Sequence, residues 1–148
     1  MFYQIDLLMD ETETGDFTWL VTAPAFPEVT TFGASTEEAL RNGLHAIEEA
    51  MAGRISLGET FEPPISKTPG KGHFVEPSLL TVMKIFLYHV CKDKDISRAE
   101  LVRRLGWHRE QVDRLFRLDH KSQVDQLEAA FEAVGTPIKR MIDFNAAA

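Results

Sequence analysis

The 148 residues, 44% hydrophobic and 26% charged, have the makeup of an ordinary folded protein, enough for one domain or two small ones, which excludes wholesale disorder. The net charge of −7 conceals a split. Residues 1–76 carry 13 Asp+Glu against 4 Lys+Arg, a balance of −9, whereas residues 77–148 carry 10 acids against 12 bases, a balance of +2. Electrostatic footprints are local, so this division points to two domains with two kinds of partner.

The opening "MFYQIDLLMDE" has no basic segment of the kind that begins a secretory signal. No apolar run reaches the ~18 residues a membrane span needs, so no membrane partner is expected and a cytoplasmic location is. The single cysteine, Cys91, cannot form an internal disulfide and reads as a buried structural thiol. His89, Cys91, His108 and His120 do not fall at zinc-site spacings, so neither a metal nor another cofactor is expected.

In chain order, "FYQIDLLM" and "DFTWLVTA" read as strands joined by a polar hairpin containing Gly15. Pro24 and Pro27 break the second run, and "EVTTFG" reads as a third strand. Ser35 and Glu38 match a helix capping box, followed by Leu40, Leu44, Ile47 and Met51 at helical spacing, with Gly53 or Gly58 as the stop. The stretch "ETFEPPI" is an extended edge segment, and "SKTPGKGHFVEP", residues 66–77, reads as a linker. Four helices are expected after it: Leu79–Cys91, Arg98–Leu105 capped by Ser97, His108–Leu118, and Gln123–Val134. "TPIKRMIDF" alternates as a terminal strand does.

Two short helices joined by a glycine turn describe a helix-turn-helix. Ala99, Leu101, Val102 and Leu105 on the first, with Val112, Leu115 and Phe116 on the second, supply the apolar contacts, and Trp107 wedges beneath. In that geometry the second helix enters the DNA major groove. His108 caps it, and Arg109, Glu110, Gln111 and Arg114 carry groups suited to base edges. Arg98 is placed for phosphate, and Lys121 with Ser122 forms a second clamp at the start of the fourth helix. A single half-site reader binds weakly, so a dimer on two-fold double-stranded operator DNA is expected.

The block "ISRAELVRRLGWHREQVDRLFRLDHKSQVDQLEAAFEAVG" closely resembles the C-terminal helix-turn-helix of HicB-type antitoxins. "FTWLVTAPAFPEVTTFGASTEEALRNGLHAIEEAM" resembles their N-terminal module, although Ala25 stands where an acidic residue often precedes "FPE". The resemblance implies an α+β chain. A partial RNase H-like antiparallel sheet with one helix occupies residues 1–65, the linker 66–77, and a repressor-like helical DNA-binding domain 78–148. It further implies that the first domain binds and blocks a HicA-type mRNA-cleaving toxin, while the second represses the operon through dimers or a dimer of dimers. No set of strand-borne carboxylates stands out for a catalytic metal cluster, so the first domain reads as a binding surface and not an enzyme. Asp10, Glu11, Asp16 and Glu28, with Phe17, Trp19 and Phe26 as apolar anchors, are the candidate toxin contacts. The rival reading is a stand-alone repressor whose N-terminal domain senses a ligand.

Overall fold

Alternating side chains and a glycine turn start the fold. The structure, a computed structural model, describes residues 1–67 and 70–143, and these form an α+β chain of two units, Met1–Ser78 and Leu79 onward. Strands β1 (Tyr3–Glu11) and β2 (Phe17–Ala23) pair antiparallel with Leu8 opposite Leu20 and Glu11 opposite Phe17. The connecting turn closes with Thr12 N–H donating to Asp16 O at 2.7 Å and Gly15 at φ +83°, a region glycine enters without steric cost. Strand β3 (Phe26–Gly33) follows, antiparallel to β2, so Pro27 lies within it. Proline is tolerated there because β3 is an edge, with only β2 beside it in the order β3-β2-β1-β4.

Helix α1 (Thr36–Leu57) begins at the capping box read from the sequence. The Ser35 hydroxyl accepts from Glu38 N–H at 3.1 Å, and the Glu38 carboxylate accepts from Ala34 N–H at 2.9 Å. It ends at Gly58, in the left-handed region at φ 71°. Its buried row is Ala39, Gly43, Ile47, Met51 and Ile55, while the predicted Leu40 and Leu44 are only half-buried. Close approach explains the shift. A Cβ on Gly43 would lie 2.8 Å from Ile5 Cδ1, and one on Gly33 would lie 2.3 Å from the Ala39 backbone nitrogen. Small residues let the helix axis sit against the sheet, and leucines in that row would hold it away.

The stretch read as a linker contains a strand. β4 (His73–Val75) pairs antiparallel with β1, Gln4 opposite Phe74, which makes β1 an interior strand. Its side chains are few, but the open backbone edge of β1 supplies the hydrogen bonds that composition does not advertise. "ETFEPPI" forms no strand; only an isolated bridge joins Ile65 to Phe2. The core of this unit holds Tyr3, Ile5, Val21, Phe26 and Phe61 beneath α1. Tyr3 and Phe26 meet edge-on at 5.2 Å between centroids, and Tyr3 Oη donates to Glu62 O at 3.0 Å.

The second unit is helical: α2 (Leu79–Asp93), α3 (Arg98–Leu105), α4 (Arg109–Leu115) and α5 (Val124–Ala133). Leu87, Leu101, Val112, Leu115, Leu127 and Phe131 form its core, with Phe131 against Phe86 at 5.4 Å. Cys91 is buried among them, and burial pushes its thiol up to about 11. Instead of a terminal strand, Ile138–Met141 form a single 3-10 turn after Pro137; Phe144, the end of that predicted strand, lies outside the described residues.

Candidate functional site

In the second unit, the local sequence builds two short helices around a three-residue turn. Ser97 caps α3, accepting from Glu100 N–H at 3.1 Å. Gly106, at φ 66°, ends it with its N–H on Val102 O at 2.8 Å. His108 then caps α4 through its backbone: its N–H donates to Gln111 Oε1 at 2.9 Å. Gln111, predicted to face bases, therefore has its carbonyl oxygen turned back on its own helix. Leu101, Val112, Leu115 and Phe116 bury the contact between the helices. Ala99 is exposed and takes no part in it.

The arginines share few acids. Asp113 Oδ1 accepts from both Arg98 Nη1 at 2.9 Å and Arg109 Nε at 3.1 Å, joining α3 to α4 through one carboxylate. Partial burial works against its charge, but the two guanidiniums hold the carboxyl below the usual range. The Arg98 guanidinium also lies over the Phe116 ring, 5.0 Å from its centroid. Arg103 and Arg104 both pair with Glu100, and Arg117 pairs with Asp119 at 3.1 Å. Among the described residues, Arg114 and Lys121 form no ion pair, and both are exposed, as is Glu110. Ser122 corrects the expected phosphate clamp. It is buried, with its hydroxyl 3.4 Å from Arg114 O and 3.2 Å from His120 Nδ1, so it braces the loop from inside.

Lys84 is the residue the sequence reading passed over. It sits on α2 with 0% exposure, and its ammonium donates to the carbonyls of Arg114 (3.0 Å), Arg117 (2.5 Å) and His120 (2.6 Å). Each of these carbonyls, at and just beyond the end of α4, also accepts one backbone N–H, and the three donors of the ammonium supply a second partner to each. Burial pushes it down to about 8, opposed by Asp119. A lone lysine inside the apolar run "LLTVMKIFLYHV" is the signal that could have marked it.

In the first unit, the candidates separate into two groups. Asp10, Glu11, Asp16 and Phe17 gather at the β1–β2 hairpin and are exposed, Phe17 at 62%. Trp19, one turn of the pleat further, is half-buried. Phe26 and Glu28 lie at the other end of β2, roughly 20 Å away at ~3.3 Å per residue. Phe26 is 0% exposed and is core, not anchor, because the strand irregularity at Thr22/Ala23 turns it inward onto Tyr3. Glu28 receives Arg54 through two bonds of 2.7 and 2.8 Å, and that hydrogen bonding lowers its carboxyl. An open cleft of about 560 Å³ beside Pro27, Arg54 and Phe61 has its guanidinium occupied by Glu28. Among the described residues, no cluster of three or more His, Cys, Asp or Glu could hold a metal ion, and no helix is long and apolar enough to cross a membrane.

Together these features define an α+β protein with an acidic sheet unit followed by a helical unit displaying cations around a short helix pair. No protein-family model matches the chain. It is 31% identical to antitoxin HicB of Pseudomonas fluorescens (strain Pf0-1) over 81% of this chain and 82% of that protein. It is 31% identical to antitoxin HicB 2 of Photorhabdus laumondii subsp. laumondii (85% and 86% covered) and 28% identical to antitoxin HicB of Escherichia coli K12 (79% and 84%). The chain belongs to the HicB antitoxin family.

Proposed function

We propose that the chain binds and inhibits a HicA-type mRNA-cleaving toxin through residues 1–78 and represses its own operon through the helix-turn-helix of α3 and α4. The observation that carries this reading is the division of charge between two units. Four of the first unit's acids, Asp10, Glu11, Glu13 and Asp16, lie at the exposed hairpin, where they attract the basic, phosphate-binding face of a ribonuclease. The chain acts by occlusion, as a binding protein and not an enzyme. In the second unit Arg109, Glu110 and Arg114 take the base-facing role, Lys121 contacts phosphate, and Arg98 orients the helix pair through Asp113. Operator binding by one such unit is weak, so the repressor is a dimer or a dimer of dimers.

The test uses full-length chain and the HicA-type toxin encoded with it. Arg114→Ala removes operator selection and leaves toxin neutralisation intact, read by gel shift and by growth rescue. Lys121→Ala weakens binding to all DNA sequences and lowers the salt slope by about one. A chain in which Arg114→Ala also loses growth rescue contradicts the division of labour.

A further inference from the structure

Resting on the antitoxin reading above, we infer that the toxin docks on the helix-free face of the sheet, centred on the apolar row Leu8, Leu20 and Phe32. Three observations converge. First, the row is continuous: Leu8 lies opposite Leu20 and Leu20 opposite Phe32, so the three side chains run across β1, β2 and β3 as direct neighbours. Second, it faces away from α1. The helix covers the Ile5 and Val21 side, and strand alternation sends Leu8, Leu20 and Phe32 to the other. Leu8 is 63% and Phe32 51% exposed. Third, the apolar row is flanked by polar ones, and further along the same face only the half-buried Phe74, opposite Gln4, adds an apolar side chain among the described paired residues of the four strands. The rows on either side are Asp6, Thr22 and Thr30, and Asp10 with Thr18, all polar.

That is the anatomy of an interface centre with a polar rim. Charge decides the occupant. Asp6 and Asp10 flank the row within a unit whose sequence balance is −9, so a second copy laid on this face would meet like charge, and so would nucleic acid. A basic protein would meet complementary charge. Size extends the contact. Three strands spaced ~4.8 Å and about six residues long offer on the order of 300 Å², below the ~800 Å² per partner of a stable complex. The toxin must therefore also cover the adjacent hairpin, where Glu11 and Asp16 continue the acidic rim.

The experiment measures binding of a catalytically inactivated HicA-type toxin from the same genome to the full chain and to Leu8→Lys with Phe32→Lys. Both positions are exposed, and Leu8→Gln with Phe32→Ser is the replacement pair if the first fails to fold. The expected result is at least a thirtyfold loss of toxin affinity, as for central interface anchors, with thermal melting and operator binding unchanged. Wild-type chain that binds the toxin alongside a variant within threefold of it overturns this face while the antitoxin reading stands. Wild-type chain that does not bind the toxin overturns both. A variant that dissociates a wild-type oligomer at unchanged toxin affinity assigns the face to a second copy and overturns the inference.

Discussion

Replacing Lys84 by Met keeps an unbranched side chain, one atom shorter, and removes its three donors. The carbonyls of Arg114, Arg117 and His120 then lose one donor each and keep the backbone N–H groups of Arg117, His120 and Ser122 respectively. Each acceptor stays satisfied, so each lost bond counts near the low end of the range for a charged donor, about 1.5 kcal/mol, or about 4.5 kcal/mol for three. Against this, the variant no longer buries a charge. The fall from 10.5 to about 8 sets that burial at roughly 3 kcal/mol, at about 1.36 kcal/mol per unit. The net expectation is a loss of about 1 kcal/mol at pH 7. Urea unfolding followed by Trp107 fluorescence, in a Trp19→Phe background, isolates the second unit. The same variant fixes a pH dependence. The folded value lies below the unfolded one, so between about 8 and 10.5 the unfolded chain holds the extra proton. The burial cost is complete below about 8 and is relieved as pH rises through that window, and the wild type's advantage over the Met variant widens there. A Met variant as stable as wild type at pH 7 would show that the backbone N–H groups alone satisfy these carbonyls. A stability gap that stays flat from pH 7 to 10.5 would refute charge burial at this site.

Asp113→Asn releases Arg98 and Arg109 from their shared carboxylate. It should lower stability by no more than about 1 kcal/mol per pair, since both pairs are partly exposed, and raise non-specific DNA affinity in low salt, measured by fluorescence anisotropy. Gly33→Ala places a methyl 2.3 Å from the Ala39 backbone nitrogen; a loss of about 2–3 kcal/mol is expected in thermal melts of the first unit. Glu28→Gln tests the Arg54 pair. Its carboxyl is held below the ordinary 4.5, so the pair stabilises the fold above that value and the contribution disappears as pH falls through the lowered one. Denaturation at pH 7 and pH 3 should show a gap from wild type of at most about 1 kcal/mol at pH 7, and a smaller one at pH 3.

Local signals were the legible ones. Ser35 with Glu38 placed the start of α1, and Ser97 with Glu100 and Gly106 placed both ends of α3, because capping depends on residues within a few positions of each other; for the end of α1 the sequence offered both Gly53 and Gly58, and the structure ends it at Gly58. β4 was illegible for the opposite reason: His73–Val75 form a strand only because β1, some seventy residues earlier, offers them an edge. The inward turn of Phe26 follows from an irregularity at Thr22/Ala23 that no alternation pattern shows. Among the DNA candidates, side-chain chemistry suggested Gln111 and Ser122, but capping and burial depend on the backbone around them. The row Leu8, Leu20 and Phe32 was present as three letters on three strands; only the register makes it one surface.

The position of β1 inside the sheet bears on how the first unit is made. β1 leaves a ribosome well before residues 73–75, which supply its second neighbour. Until those residues have been synthesised and have cleared the exit tunnel, one edge of β1 has no backbone partner. A nascent or prematurely ended chain thus exposes a strand edge, the template for unwanted pairing with other chains. Loop closure over this distance is slow relative to the β1–β2 hairpin, so formation of the sheet should proceed in two stages, hairpin first and closure last.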